Sequence, residues 1–418
     1  ISSEYNKSVF MKNNNIIFIC TDGVRRDVIQ NFSSLNKLSN IGSYFPKVVT
    51  YAPYTIASLH SIFTGIYGSR NGVDNYYGKL NFKSDKCKTI TSYLKDEGYY
   101  TIGDILNEIV VPHVGFDDLT IASSGNDILP RHKEIIKKCG SLKKLSKNFF
   151  AFLHCDYVHN SLISDVAKVY DDFSKQYFEN KDKNKKNYIS YVKKIDRYLE
   201  IILNDIKNED IMDSIIIIFS DHGCSLGEQI GEKIYGSFCY DYTIMTYSIF
   251  LHDKLFPKKK FTQLVRTVDF MPTILDVLQI QPDKNNMELD GKSLVSIMDG
   301  SETGTSVITH LFDMFDWNDS GEQYGGLLQS TDEFDIIAGN TNSVGEVTTW
   351  YTFVFDEPYM AAAGDWLGAG FEHYGGSNVQ YGESKFTQDQ TAFIYGPFGS
   401  GSAYDWYYTN EVPMVRLN

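Results

Sequence analysis

Ile215-Ile216-Ile217-Ile218-Phe219-Ser220-Asp221-His222-Gly223 is an unbroken apolar run that ends in a carboxylate, an imidazole and a glycine. A run this apolar reads as a strand buried on both faces, as in a parallel sheet covered by helices. Such sheets bind ligands beyond the carboxyl ends of their strands, where Asp221 and His222 fall. Ile16-Ile17-Phe18-Ile19-Cys20-Thr21-Asp22-Gly23 repeats the pattern. Two buried strands that each deliver an acid to one edge predict a metal site.

The 418 residues carry a formal net charge of −14, unevenly spread. Residues 301–418 hold 17 acids against Lys385 and Arg416, which leaves 36 acids and 37 bases in residues 1–300. All four tryptophans and 15 of the 32 glycines follow residue 300, and all six cysteines precede it. A shift this abrupt predicts a boundary near 300, between a domain over 12–300 and an acidic, aromatic, Gly-rich region over 301–418. The second region has apolar surface to bury, and runs such as Val347–Phe355 predict that it is β-rich. Asp316–Glu322 hints at a calcium loop, but its spacing departs from the EF-hand pattern and a solvated turn is the expectation.

The scattered cysteines form no CxxC pair, and reduced, buried thiols are expected at Cys20 and Cys155. No apolar run reaches the length of a membrane span. A cytoplasmic location is expected, with room for a removed leader before Ile1, which is not an initiator. The near-neutral first 300 residues argue against a nucleic-acid partner, and Lys181–Lys186 reads as a solvated loop or helix start.

Short apolar runs alternate with amphipathic stretches up to residue 300, the pattern of an α/β fold with a central, mostly parallel sheet flanked by helices. Strands are expected at 15–20, 98–103, 148–154, 214–219 and 246–251, and helices at 26–40, 56–64, 87–97, 185–207 and 264–279.

Asp22, Asp221 and His222 together offer two oxygen ligands and one nitrogen ligand, a set suited to a divalent ion. Gly223 would allow the turn that brings Asp221 and His222 onto one ion. In Tyr51–Gly65, a helix is expected to begin after Thr55 and stop at Gly65. Thr55 would then stand where free N–H groups favour an anion, and a metal-activated hydroxyl there can attack phosphorus or sulfur. The plainer reading makes Thr55 an N-cap. A further strand, Phe149 onward, runs into His154, Asp156 and His159. Asp156 and His159 are candidates for a second metal or for positioning a leaving group, while His154 reads as a core histidine.

Residues 12–299 resemble the sulfatase-like branch of the alkaline phosphatase superfamily. The resemblance rests on five ordered stretches: Asp22-Gly23-Val24-Arg25-Arg26-Asp27 with the following Leu35–Phe45, Thr55–Gly65, Ser220–Glu228, Val268–Leu275 and Asp290–Leu294. It implies that Asp22, Asp221 and His222 hold one divalent ion (Zn, Mn, Ca or Mg) with Thr55, the covalent nucleophile. It further implies a second ion on Asp156 and His159, contacts to the transferred group from Arg25 and from Lys233 or Tyr235, and a small antiparallel sheet to end the fold. Gln229 stands where a further histidine is frequent, and His310 lies beyond the matched stretch.

True sulfatases resemble one another in a Cys or Ser that is oxidised to an aldehyde, followed by Pro and Arg. Here those positions read Thr55, Ala57 and Leu59. The expectation is therefore a metal-dependent phosphoester hydrolase or phosphotransferase with a phosphothreonine intermediate, acting on a small-molecule, glycan-linked or lipid-linked phosphoester. The alternatives are a sulfatase that tolerates threonine and a non-catalytic binding or assembly protein.

Overall fold

The computed structural model describes residues 14–75, 81–121, 127–236 and 239–301, and seven short strands between 312 and 413. The chain divides into two compact units, Ile1–Val307 and Ile308–Asn418.

The first unit is built on a nine-stranded mixed sheet. In chain order its strands are β1 Ile16–Thr21, β2 Ser43–Val49, β3 Tyr100–Ile105, β4 Asp118–Ile121, β5 Phe149–Cys155, β6 Ile215–Phe219, β7 Met245–Leu251, β8 Lys259–Lys260 and β9 Val265–Arg266. Their spatial order is β4-β3-β5-β1-β6-β7-β2-β8, with β9 also on β2. From β4 to β6 all pairings are parallel, and β7 runs against both β6 and β2.

The isoleucine run is β6, and every residue of it is fully buried. Strand alternation sends successive side chains to opposite faces, so one apolar run feeds two cores. Ile216 and Ile218 enter one core with Ile17, Ile19, Phe149, Ala151 and Leu153. Ile215, Ile217 and Phe219 enter the other with Ile16, Phe18, Phe150 and Phe152. The helices Ser33–Ile41, Ile128–Lys144 and Lys181–Asn208 cover the first face, and Thr55–Thr64, Ile90–Asp96 and Phe270–Val277 the second. Each isoleucine buried in this way contributes about 1.5–3 kcal/mol. That double burial is why these strands carry no polar residue until they end.

Two expected helices are interrupted. Residues 26–40 form a 3₁₀ turn, Arg26–Asn31, and then the helix Ser33–Ile41. Between them Phe32 is extended and buried, and Asp196 Oδ1 accepts the N–H groups of Ser34 (2.8 Å) and Leu35 (3.1 Å), fixing a new helix start. Residues 264–279 open as β9, pass through a 3₁₀ turn and become helical only at Phe270. Arg266, buried, pairs with Asp269 at 2.8 Å and hydrogen-bonds Tyr67, which holds the segment extended against β2. The lysine run opens the helix Lys181–Asn208. Among the described residues every cysteine is a free thiol, and no helix is long and apolar enough to cross a membrane.

The second unit contains antiparallel strands: Phe312–Trp317 between Gln323–Ser330 and Trp366–Phe371, Glu383–Lys385 with Glu411–Pro413, and Ala392–Gly396 with Asp405–Thr409. His310, most of the Asp316–Glu322 stretch and the Val347–Phe355 run lie outside the described residues.

Candidate active site

The parallel register sets β1, β5 and β6 level: Cys20 pairs with His154 on one side and Phe219 on the other. Asp22 and Asp221 therefore emerge together at the carboxyl edge of the sheet, where both are fully buried. Side chains with no catalytic chemistry clamp the turns there. Ser220 Oγ donates to Thr21 O (2.9 Å) or His222 O (2.6 Å), and Ser58 Oγ donates to Asp221 O at 2.7 Å. Gly223 serves a different purpose from the expected flexible turn. A Cβ there would stand 2.1 Å from the carbonyl oxygen of Tyr242, so only glycine admits this neighbour, and Gly223 N–H donates to Thr243 O at 2.7 Å.

Two unsatisfied oxygens converge on one imidazole nitrogen. Asp22 Oδ2 is within 3.3 Å of His154, His159 and Thr55, and Asp221 Oδ1 accepts the Gly23 N–H at 3.4 Å. Asp22 Oδ1 and Asp221 Oδ2 are buried with no hydrogen-bond partner. His222 Nε2 lies 3.6 Å from each of them. His222 Nδ1 is 2.7 Å from Gly223 O, which fixes the proton on Nδ1 and leaves the Nε2 lone pair facing both orphan oxygens. Asp22, Asp221 and His222 are the one metal-capable group of this kind among the described residues, their ligand atoms all within 4.8 Å of one another. Neither carboxylate forms an ion pair with a lysine or arginine among the described residues. Orphaned, like-charged oxygens beside an imidazole lone pair are the donor set a divalent cation completes.

The electrostatics agree. Burial and the Asp22 charge push the Asp221 carboxyl up. Burial also works to raise Asp22, but His159, His154 and His222 outweigh it and hold that carboxyl well below the usual range.

Thr55 opens the helix Thr55–Thr64, one residue earlier than expected, and the helix ends at Gly65 in the left-handed conformation, φ 65°. Tyr54 holds the N-cap position and makes no side-chain capping bond. The Thr55 hydroxyl instead lies 3.1 Å from His222 Nε2 and 3.3 Å from Asp22 Oδ2.

The remaining candidates divide. His159, on the helix Tyr157–Leu162, places Nδ1 3.3 Å from Asp22 Oδ2 and 2.8 Å from the Tyr235 hydroxyl, and it is the one imidazole on Asp22 that reaches solvent. The Tyr235 ring packs 4.5 Å from that of His222. Asp156 is buried at the start of the same helix, its carboxyl pushed up by burial, and it does not join the metal-capable group. Gln229 is exposed. Arg25 and Lys233 do not reach Thr55. Arg25 pairs with Asp27 (2.9 Å) and Glu228 and donates to Cys224 O, so it fastens the Asp22 turn to the loop after β6. Lys233 reaches Tyr170 O at 2.7 Å and Asp172 at 3.0 Å. His154, expected as a core histidine, is buried, and its Nε2 is 3.0 Å from Asp22 Oδ2, a contact the sequence reading did not foresee. Its place at the end of an apolar strand, level with Cys20, was the available signal.

A model of the sulfatase family matches residues 14–280. The chain belongs to the sulfatase family. Three solved structures show how far the likeness of this sulfatase-family chain extends. One is a putative sulfatase from Bacteroides thetaiotaomicron, at 16% identity over 73% of this chain and 78% of that one, TM-score 0.56. Another is the lipoteichoic acid synthase LtaP from Listeria monocytogenes, at 16% over 70% and 77%, TM-score 0.54. The third is the phosphonate monoester hydrolase of Agrobacterium radiobacter, at 14% over 73% and 81%, TM-score 0.53. At such identities the likeness shows a shared fold. No curated protein sequence matches the chain.

Proposed function

We propose that this sulfatase-family chain is a metal-dependent phosphoester hydrolase or phosphotransferase with Thr55 as its covalent nucleophile. The observation that carries the reading is the Thr55 hydroxyl, within 3.3 Å of both Asp22 Oδ2 and His222 Nε2 at a helix N-terminus. A threonine oxidised as sulfatases oxidise Cys or Ser would give a ketone rather than an aldehyde, and the Pro and Arg of that signal are absent at Ala57 and Leu59. Phosphorus chemistry needs no such oxidation. It also stands in the name of one structural neighbour, a phosphonate monoester hydrolase.

Asp22, Asp221, His222 and Thr55 would hold one divalent ion, which when bound would acidify the hydroxyl and offset charge on a phosphoryl oxygen. The chain's own groups do the rest. With His222 Nε2 given to the ion, the acceptor in reach of the Thr55 proton is Asp22 Oδ2. The free N–H groups at the start of the helix face the phosphoryl oxygens. The Thr55 Oγ1–P bond forms as the bond from phosphorus to the substrate alcohol breaks. Protonated His159, the imidazole on Asp22 that reaches solvent, would give a proton to the departing oxygen. Attack on phosphorus by water or an acceptor hydroxyl then releases Thr55.

The test is Thr55→Ala, with bound metal measured alongside turnover of phosphodiester, phosphomonoester, phosphonate and sulfate aryl esters. Loss of phosphoester turnover with metal retained is expected. Full activity in the variant would remove Thr55 from the mechanism. Sulfate turnover above phosphate turnover in the native chain would favour the sulfatase reading, which the family itself supports. A native chain that neither binds a divalent ion nor turns over any ester would favour a binding role.

A further inference from the structure

We infer that His154 is a positioning residue that ties Asp22 Oδ2 back, so that the orphan Oδ1 faces the ion. The inference rests on the metal reading of Asp22.

His154 sits on β5, between β3 and β1, and its ring links the ends of all three strands. The N–H of Leu106, which follows β3, donates to Nδ1 at 3.4 Å. That makes Nδ1 the acceptor, so the neutral ring carries its proton on Nε2. Nε2–H then donates to Asp22 Oδ2 at 3.0 Å. Phe152 stacks on the ring, with centroids 6.2 Å apart and planes 25° apart, and the side chain is shielded from solvent.

Two consequences follow. With one nitrogen accepting and the other donating, His154 has no lone pair left for an ion and is no ligand. The carboxylate it holds is also divided in use, with Oδ2 bonded and Oδ1 bare. His159 touches the same oxygen, but from a partly exposed helix and shared with Tyr235, so it cannot hold the carboxylate plane as a buried strand residue does. A core histidine kept only for packing would need neither bond. Outer groups that orient a ligating carboxylate typically change metal affinity by about 10–100-fold when removed.

The test compares native protein with His154→Leu, His154→Asn and His154→Gln by calorimetric titration with Mn²⁺ alone, and follows the melting of each metal-free protein. The Gln amide can reach the place of Nε2, whereas the Asn amide is too short. Leu and Asn should weaken Mn²⁺ binding by about 10–100-fold, and Gln should recover most of the loss. Because Asn and Gln bury the same amide, a difference in Mn²⁺ affinity between them reports reach rather than folding. Undiminished affinity in Leu and Asn, or a Gln variant as weak as Leu, would overturn the inference while leaving the metal reading intact. A native chain that binds no Mn²⁺, Zn²⁺, Ca²⁺ or Mg²⁺ would sink the metal reading, and this inference with it.

Discussion

At the end of β3, Asp104 meets Arg131 and His132; two strands away, at the ends of β1 and β6, Asp22 and Asp221 meet His222. Both clusters are buried and both use acids and imidazole at the same edge of one sheet. Arg131 Nε and Nη2 bind Asp104 at 2.7 and 3.0 Å, His132 Nε2 lies 3.4 Å from Oδ1, and His132 Nδ1 is 2.7 Å from the Tyr198 hydroxyl. Both oxygens of Asp104 are thus occupied by the chain's own cation. In the other cluster two carboxylates each keep one orphan oxygen. The difference lies in who supplies the positive charge. Where the fold supplies it the cluster is closed, and where the fold withholds it two oxygens are left that a cation could take.

Five measurements can break or sharpen that contrast. The largest effect belongs to Thr55→Ala, expected to lower phosphoester kcat by roughly a thousandfold or more while metal content is unchanged. Next comes the external cation. Saturating a native sample at about 100 times Kd should stabilise it by about 2.7 kcal/mol, read as a rise in Tm that a chelator reverses. Asp221→Asn should abolish that rise, yet increase the Tm of the metal-free protein by on the order of 2–4 °C, because it removes one of two buried like charges. A metal-free Asp221→Asn protein that melts lower than native would refute the charge argument.

Asp104→Asn should do the opposite in metal-free protein, lowering stability by about 2–3 kcal/mol through the stranded Arg131. Burial works to raise the Asp104 carboxyl, but His132 and Arg131 outweigh it and hold it low. A depressed carboxyl gives its full stabilisation above its unfolded value of about 4 and loses it as the pH falls through the lower folded value. The gap between native and Asp104→Asn should therefore be constant at neutral pH and shrink below about pH 4, which urea denaturation across pH would show. The smallest effect is expected from Lys233→Ala, a change in kcat/KM of less than about tenfold, since Tyr170 and Asp172 already hold that ammonium away from Thr55. A larger loss would return Lys233 to the substrate.

Much of the fold was legible because the central strands are apolar on both faces. β1, β5, β6 and β7 were each expected to within two residues, and Gly65 was read as the stop of the Thr55 helix. β2 was not expected, for Pro46 and Lys47 interrupt its pattern and its pairing depends on β7, far along the chain. The helix Ile128–Lys144 was missed too. Pro130 lies in its first turn, where a missing N–H costs no helical bond. Asp22, Asp221, His222 and Thr55 could be picked out because each ends or begins an element. Arg25 and Lys233 could not be placed, since long flexible side chains go wherever a carboxylate or carbonyl awaits them.

By itself the sequence determined that two doubly buried strands end in acids on one edge, and that a helix begins at a threonine where sulfatases hold an oxidisable residue. Those are local facts, set by hydrophobic pattern and by residue type. The tertiary structure alone decided that Asp22 Oδ1 and Asp221 Oδ2 are the bare oxygens, that His222 presents Nε2 to them, and that His154 serves Asp22 while Arg25 does not. Hydrogen-bond satisfaction depends on which distant groups arrive at each atom. Sheet register delivers β1, β5 and β6 to one edge from stretches far apart in the chain, and no local pattern records which of their atoms will find a partner.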